Sequence, residues 1–333
     1  QLTKENDQVD RSYREVENGI STSMYFGYPE FFMQFNKKAD FMYQPYWNQG
    51  VEYIQDMQNG DTFKEDLYVP GYFEMPIAKG EEIIFSAGDI LVDTSTLAQE
   101  FNFEIQKRTP RSSFYNCLKN SSHQFYYIPQ KDETYLLAGY PWFKVRARDQ
   151  FISLPGCTLA SGRPDDFTRI MDSSIPHLQD FMEDKPLKNT LKQVEDPDVL
   201  LWATWALQQY WKENKPVFKD KYEDILFSII AYIMENKHPN LSVNSETGMV
   251  STYGHDNAVS WMNAMCDGKP VVPRSGYLVE FNALWYNALK FAEEVAAAVN
   301  KEELAAGLEE KALKVQQSFV ETFLNDAGYL YDY

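Results

Sequence analysis

The spacing of apolar residues changes near residue 93, and this change constrains the fold more than any other feature of the chain. Before it, short apolar or aromatic runs are separated by turn sequences such as Asn59-Gly-Asp and Pro70-Gly. Such runs, bounded by Gly, Pro and Asn, are typical of strands in antiparallel sheets. The runs are Met24-Tyr-Phe, Phe31-Phe-Met, Phe41-Met-Tyr, Phe73-Glu-Met and Ile83-Ile-Phe. We therefore predict β-structure of sandwich type in this region.

After the cap-forming sequence Asp93-Thr-Ser-Thr96, apolar residues recur at helical spacing. The stripe of Tyr222, Ile225, Ile229 and Ile233 is an example, and we interpret such stripes as core. Long polar segments at 126–148 and 237–276 are predicted as loops, and loops of that length often carry a site. The predicted helices are 94–108, 112–125, 149–161, 166–183, 198–213, 219–236, 277–298 and 301–325.

Charge and cysteine content narrow the range of partners. The 333 residues carry 31 basic and 49 acidic side chains, a net charge of −18, and contain no basic run. This balance argues against nucleic acid and anionic membrane surfaces as partners and suits a neutral ligand. The three cysteines show no disulfide or metal spacing, so we expect reduced thiols and a cytoplasmic protein.

The stretch from Val272 to Leu289 combines a carboxylate, Glu280, with amides and two large aromatic residues, Trp285 and Tyr286. A helix that only packs in a core does not need this mixture. A sugar does, because its hydroxyl groups pair with carboxylates and amides while its CH faces stack on aromatic rings. The loop before it is also rich in polar residues near Trp261, namely Asp256, Asn263 and Asp267.

Three further residues are candidates for a site, and the two aspartates among them have an ordinary structural alternative. Arg148-Asp149 opens a predicted helix, and Asp198 begins another. Aspartate at a helix start often serves only as a cap. The four histidines are scattered and none pairs at metal-ligand spacing, so we expect no metal. The sequence has no phosphate loop and no dinucleotide fingerprint, so we expect no cofactor.

Four motifs resemble the bacterial and archaeal type of glycogen debranching enzyme, the amylo-α-1,6-glucosidases. They are Glu65-Asp-Leu-Tyr-Val-Pro-Gly-Tyr-Phe-Glu, Ala138-Gly-Tyr-Pro-Trp-Phe with Arg148-Asp149, Asp198-Val-Leu-Leu-Trp, and Ser260-Trp-Met-Asn-Ala through Leu289. The resemblance implies a chain that is mostly α with a β domain. It assigns 1–93 to part of an N-terminal β-sandwich, 94–130 to linker helices, and 131–333 to an (α/α)6 barrel portion that is truncated and thus incomplete.

The same resemblance implies a glycoside hydrolase that acts on α-1,6-glucosidic branch points of glycogen-like glucans with inversion. Inversion requires one carboxyl group as general acid and another that activates water. The implied glucose-binding residues are Trp142, Arg148, Asp149, Asp198, Trp261, Glu280 and Trp285. The implied partner is an α-glucan such as glycogen or a limit dextrin.

Three departures from the family pattern bear on activity. The family's general acid is the Asp of Trp-Met-Asp-Ala, and Asn263 stands at that position, leaving Asp256 or Asp267 as substitutes. The Trp-Gly before Arg-Asp is replaced by Arg146-Ala147, and the chain ends at Tyr333, before the family's general base. We therefore expect little or no glucosidase activity. The alternatives are an α-glucan-binding relative with impaired catalysis and an (α/α)6 hydrolase of another α-glucoside.

Overall fold

The computed structural model describes residues 3–58, 60–140 and 143–333. The chain divides into two compact units, Gln1–Thr109 and Pro110–Tyr333. Over the described residues, about twice as many lie in helices as in strands. The prediction of a β-rich start followed by a helical region is therefore confirmed at this level.

The first unit is built from antiparallel strands. A sheet with the order β1-β2-β3-β6 stands beside the long hairpin β4-β5. Its elements are β1 (Arg14–Val16), β2 (Gly19–Thr22), β3 (Phe31–Phe35), β4 (Asp40–Glu52), α1 (Ile54–Gln58), β5 (Lys64–Glu74), β6 (Phe85–Gly88) and α2 (Leu97–Lys107).

Aromatic residues join the sheet and the hairpin. Phe35 on β3 contacts Phe73 on β5 and Phe85 on β6, with ring centroids 5.0 and 4.8 Å apart. Gly71 lets the two hairpin strands approach closely, since an added Cβ there would lie 2.2 Å from the carbonyl oxygen of Met42. The strand predicted at Met24-Tyr-Phe is wrong, because the chain turns there through Gly27 at φ 84°.

The second unit is mainly helical, with small hairpins between helices. Its helices are α3 (Phe114–His123), α4 (Ala147–Cys157), α5 (Pro164–Met182), α6 (Val199–Glu213), α7 (Lys215–Lys221), α8 (Glu223–Met234), α9 (Val279–Ala298) and α10 (Glu302–Phe323). Its strands are β7 (Tyr126–Gln130), β8 (Glu133–Leu136), β9 (Ser242–Val243), β10 (Val250–Ser251), β11 (Met265–Cys266) and β12 (Lys269–Pro270).

Three predictions of local structure in this unit are wrong. The segments 126–148 and 237–276, predicted as loops, contain the hairpins β7-β8, β9-β10 and β11-β12. The single helix predicted at 219–236 is two helices, α7 and α8, separated at Tyr222. Tyr222 is fully buried, and its hydroxyl donates to Asp172 at 2.8 Å, so the apolar period continues across the break.

The core of the second unit is formed by helices that pack around α6 and α9. Helix α6 packs against both α4 and α9, and α10 packs along α9. The buried apolar cluster runs from Tyr135 to Phe323, with Trp211, Phe167 and Phe281 among its largest members. No helix in the described part of the chain is long and apolar enough to span a bilayer.

Candidate functional site

The starts of helices α4 and α6 are joined by a buried ion pair. Arg148, the second residue of α4, donates from Nε to both oxygens of Asp198, at 3.0 and 2.7 Å, and from Nη2 to Oδ1 at 2.8 Å. The side chains of Arg148 and Asp198 are 6% and 1% exposed. Asp198 precedes α6, yet its side chain makes no capping bond. It accepts instead from Arg148 and from Nε1 of Trp202 at 3.2 Å.

A second carboxylate reaches the same arginine. Nη2 of Arg148 donates to Oδ2 of Asp196 at 2.8 Å. Two carboxylates therefore face one guanidinium, and burial, only partly offset by Arg148, raises the pKa of Asp196 to about 6. Asp149, the next residue of α4, is exposed, so its carboxylate is open to a ligand. Asp196 and Asp198 therefore hold Arg148 in place, and Asp149 is the exposed acceptor beside it.

A second buried arginine organises the start of helix α9. Arg274 is 2% exposed and donates through both terminal nitrogens to the two oxygens of Glu280, with Nη2 2.8 Å from Oε2. Nη2 also donates to Oδ1 of Asp332 at 2.7 Å, and Nη1 to Oγ of Ser260 at 3.1 Å. The ring of Tyr333 lies 5.8 Å from the guanidinium carbon.

One loop connects the two arginines. Nη2 of Arg148 donates to the carbonyl oxygen of Val259 at 3.3 Å, and Arg274 binds the next residue, Ser260. Consecutive Cα atoms lie about 3.8 Å apart, so the two ion clusters are neighbours. After Ser260 the chain emerges, and Trp261 is 60% exposed.

The two ends of this loop, at residues 252 and 276, lie so close together that Gly254 has no room for a side chain. Thr252 and Gly276 pair across it through backbone bonds of 3.0 and 2.7 Å. Two residues after Thr252, a Cβ added to Gly254 would lie 1.8 Å from the carbonyl oxygen of Arg274. Only glycine allows the two chain segments to approach so closely here.

The structure places Asn263 and Asp256 on this loop and outside the buried clusters. Asn263 is exposed, and its backbone N–H donates to the carbonyl oxygen of Trp261 at 3.0 Å. Asp256 is also exposed and accepts from the hydroxyl of Tyr253 at 3.1 Å. Asp267 has φ 49° in the turn between β11 and β12. Within the described ranges, no hydrogen bond or ion pair joins any of these three side chains to Arg148 or Arg274.

Of the other predicted site residues, Trp285 is buried in the core and Trp142 is not among the residues that the structure describes. Trp285 is 1% exposed and donates from Nε1 to the carbonyl oxygen of Gly248 at 3.1 Å, so its ring supports α9 from the core. Trp142 lies outside the described residues. Asn282 bonds the backbone N–H and C=O of Val250 at 2.7 and 2.9 Å. Its amide therefore has a structural partner.

Three polar contributors to the two clusters were not singled out from the sequence: Asp196, Ser260 and Asp332. Asp196 carried a weak signal, since it lies two residues before Asp198 in an acidic segment. Among the described residues, no group of histidine, cysteine, aspartate and glutamate side chains has the arrangement of a metal site. The site is thus built from hydrogen-bonding groups and one exposed indole.

Comparison with known proteins bears on this geometry. Residues 115–333 match the family described as amylo-alpha-1,6-glucosidase, and residues 1–84 match the family described as glycogen debranching enzyme N terminal. No curated protein matches. A solved structure of a bacterial glucoamylase complexed with acarbose is similar, with 13% identity and a TM-score of 0.41.

That alignment covers 92% of this chain and 46% of the glucoamylase chain, so this chain spans about half the length of that protein. The family match covers most of the chain and includes both arginine clusters and the loop between them. It agrees with the motifs around Arg148, Asp198 and Glu280. The chain therefore belongs to the amylo-alpha-1,6-glucosidase family.

Proposed function

We propose that this chain carries the glucose-binding part of a glycoside hydrolase that acts on α-1,6-glucosidic branch points of glycogen-like glucans. The observation that carries the proposal is the junction of the two arginine clusters at Val259 and Ser260, directly before the exposed ring of Trp261. A glucose unit offers a CH face for the indole and hydroxyl groups for the surrounding carboxylates. Asp149 is the exposed acceptor next to Arg148.

We propose that the hydrolase reacts with inversion and that its fold is an (α/α)6 barrel joined to a β-sandwich. Inverting glycosidases hold their two carboxyl groups about 6.5–9.5 Å apart, with water between them. In the family this chain belongs to, the acid comes from the residue at the position of Asn263. An amide has no carboxylic proton to give, so we expect the chain itself to release glucose slowly.

A second candidate function follows from Asn263: binding of α-glucan without efficient cleavage. Asn263 is exposed on the loop that also carries Trp261, so it would face a bound glucan without supplying an acid. Asp256 is tied to Tyr253 on the same loop. The two candidates share a ligand and differ only in chemistry.

The experiment that separates the candidates uses phosphorylase limit dextrin with the chain fused to the C-terminal segment of an active family member, which carries the family's general base, and with the Asn263→Asp variant of that fusion. Binding is measured by retardation in gels containing the dextrin, with a β-linked glucan as control, and hydrolysis is measured as released glucose. A gain of about 10²–10⁴-fold in rate, the usual contribution of general acid catalysis, supports the hydrolase. Binding without a gain supports the second candidate. Failure to bind any α-glucan overturns both.

A matched variant tests the role of the indole. Trp261→Ala removes the exposed ring, whereas Trp211→Phe alters a buried indole whose Nε1 donates to Glu294 at 2.7 Å. We expect only the first change to weaken retardation by the dextrin. Equal binding by Trp261→Ala and the unmodified chain would contradict the placement of the sugar on this loop.

A further inference from the structure

Two carboxylates share the guanidinium of Arg274, and they use it differently. Glu280 places one oxygen on each terminal nitrogen, and its side chain is 23% exposed. Asp332 uses Oδ1 alone, and its side chain is 49% exposed. In the described part of the chain, no residue donates a hydrogen bond to Oδ2 of Asp332. Asp332 is therefore the carboxylate of the pair with an unoccupied oxygen open to a ligand.

The charges lead to the same assignment. Arg274 carries one positive charge, which the two-pronged contact with Glu280 already neutralises. The additional negative charge belongs to Asp332. An ionised carboxylate only accepts hydrogen bonds, so its free oxygen selects a donor such as a sugar hydroxyl.

An exposed indole follows directly after a residue that the same arginine binds. Ser260 accepts from Nη1 of Arg274, and the next residue, Trp261, exposes 60% of its surface. The guanidinium of Arg274 therefore holds both Asp332 and the residue that precedes this indole. This combination matches the hydroxyl edge and the CH face of a single sugar ring.

The backbone fixes Asp332 independently of its side chain. Its carbonyl oxygen accepts from the N–H of Val279, the first residue of α9, at 3.0 Å. The N–H of the preceding residue, Tyr331, donates to the carbonyl oxygen of Phe323, the last residue of α10, at 2.8 Å. Truncating the side chain therefore leaves the segment attached to both helices.

We propose that Asp332 is a substrate-binding residue, which accepts a hydroxyl of the glucan beside Trp261, and that Glu280 is a positioning residue that holds Arg274. This inference rests on the proposed function, because it names a contact within the same site. It reassigns the exposed acceptor role from Glu280, which the motif indicates, to a residue 52 positions later.

The test is a calorimetric measurement of affinity for isomaltose and its monodeoxy analogues. We expect Asp332→Ala to weaken isomaltose binding by about 10- to 100-fold, the usual effect of losing a hydrogen bond to a charged group. Asp326→Ala is the matched control, because Asp326 is an exposed carboxylate in the same segment. We expect it to bind isomaltose as the unmodified chain does.

The deoxy analogues separate contact from mere structural support. If Asp332 binds a hydroxyl, the analogue that lacks this hydroxyl binds the unmodified chain more weakly than isomaltose does. The Asp332→Ala variant should bind that analogue and isomaltose equally well, as in a double-mutant cycle. Equal affinity of both proteins for isomaltose, or a loss that is uniform across all analogues, overturns the assignment while leaving the proposed function intact. If the unmodified chain binds no isomaltose and no limit dextrin, the proposed function fails and the assignment fails with it.

Discussion

At the scale of single residues, the site depends on two buried arginines, each of which faces two carboxylates. Arg148 faces Asp196 and Asp198, and Arg274 faces Glu280 and Asp332. Removing one member of a buried pair is costly, because its partner then stays buried without compensation. The second carboxylate at each arginine reduces that isolation and adds negative charge where a neutral ligand would bind.

This arrangement predicts a pH dependence of stability. Burial raises the pKa of Asp196 to about 6 and lowers the pKa of His238 to about 4. The folded chain thus holds the Asp196 proton more tightly than the unfolded chain, in which the pKa of aspartate is about 3.9. As pH rises from about 4 to 6, Asp196 lowers the free energy of unfolding. For His238 the loss occurs as pH falls from about 6.5 to 4.

We expect the stability of Asp196→Asn relative to the unmodified chain to rise with pH across that window, by roughly 1–3 kcal/mol. For His238→Gln the relative stability should rise as pH falls. Urea titrations followed by tryptophan fluorescence measure both, since all tryptophans except Trp47 lie in the second unit. Parallel pH profiles for the two variants would contradict the assignment of opposite shifts.

At the scale of elements, helix α9 has two kinds of polar residue that the sequence does not distinguish. Asn282 is fully buried and satisfies both backbone groups of Val250 in strand β10. Asn287 is partly buried, and its one hydrogen bond to a described side chain is to Oε1 of Gln208 at 3.0 Å. One amide ties the helix to a hairpin, and the other joins two helix surfaces.

Truncation of these amides should therefore have unequal effects. We expect Asn282→Ala to lower the free energy of unfolding by about 2–4 kcal/mol, because two buried backbone groups lose their partner. Asn287→Ala, on the same helix, should cost about 1 kcal/mol. Equal losses in chemical denaturation would show that Asn282 does not anchor β10.

The sequence predicts such elements well where apolar spacing reports packing directly. The helices α4 to α6, α9 and α10 lie near their predicted positions because each presents a buried stripe. The break at Tyr222 was missed because its side chain keeps the apolar period while its backbone leaves the helix. Hairpin β7-β8 was missed because its turn, at Lys131 and Asp132, was included in a polar segment.

The site was predictable only in part, because some of its contacts join residues that are far apart in the sequence. Arg148, Asp198 and Glu280 stand in motifs, and the structure engages all three in buried ion pairs. The partners Asp196 and Asp332 lie 48 and 58 residues from the arginines that they bind. No local pattern encodes contacts over such separations, because the packing of helices alone brings them together.

At the scale of the whole molecule, the two units have separate cores. Every member of the large buried cluster lies between residues 135 and 323, within the second unit. The described residues of both arginine clusters lie in that unit as well. A unit with its own core and its own site has what independent folding requires.

We therefore expect residues 110–333, expressed alone, to unfold in one cooperative transition and to retain the affinity of the 333-residue chain for limit dextrin. Thermal unfolding by circular dichroism and gel retardation measure the two properties. A fragment lacking near-ultraviolet dichroism, or one that folds but no longer binds dextrin, would show that residues 1–109 are needed.

The binding of Val259 and Ser260 by the two arginines also has a consequence for evolution. Both residues accept hydrogen bonds from buried arginines, whereas the exposed positions just after them contribute little to the core. Selection can therefore exchange an acid for an amide at position 263 without a large loss of stability, since exposed substitutions are usually mild. Under the proposed function, a scaffold of this kind can gain or lose a chemical step while the residues that bind the sugar stay unchanged.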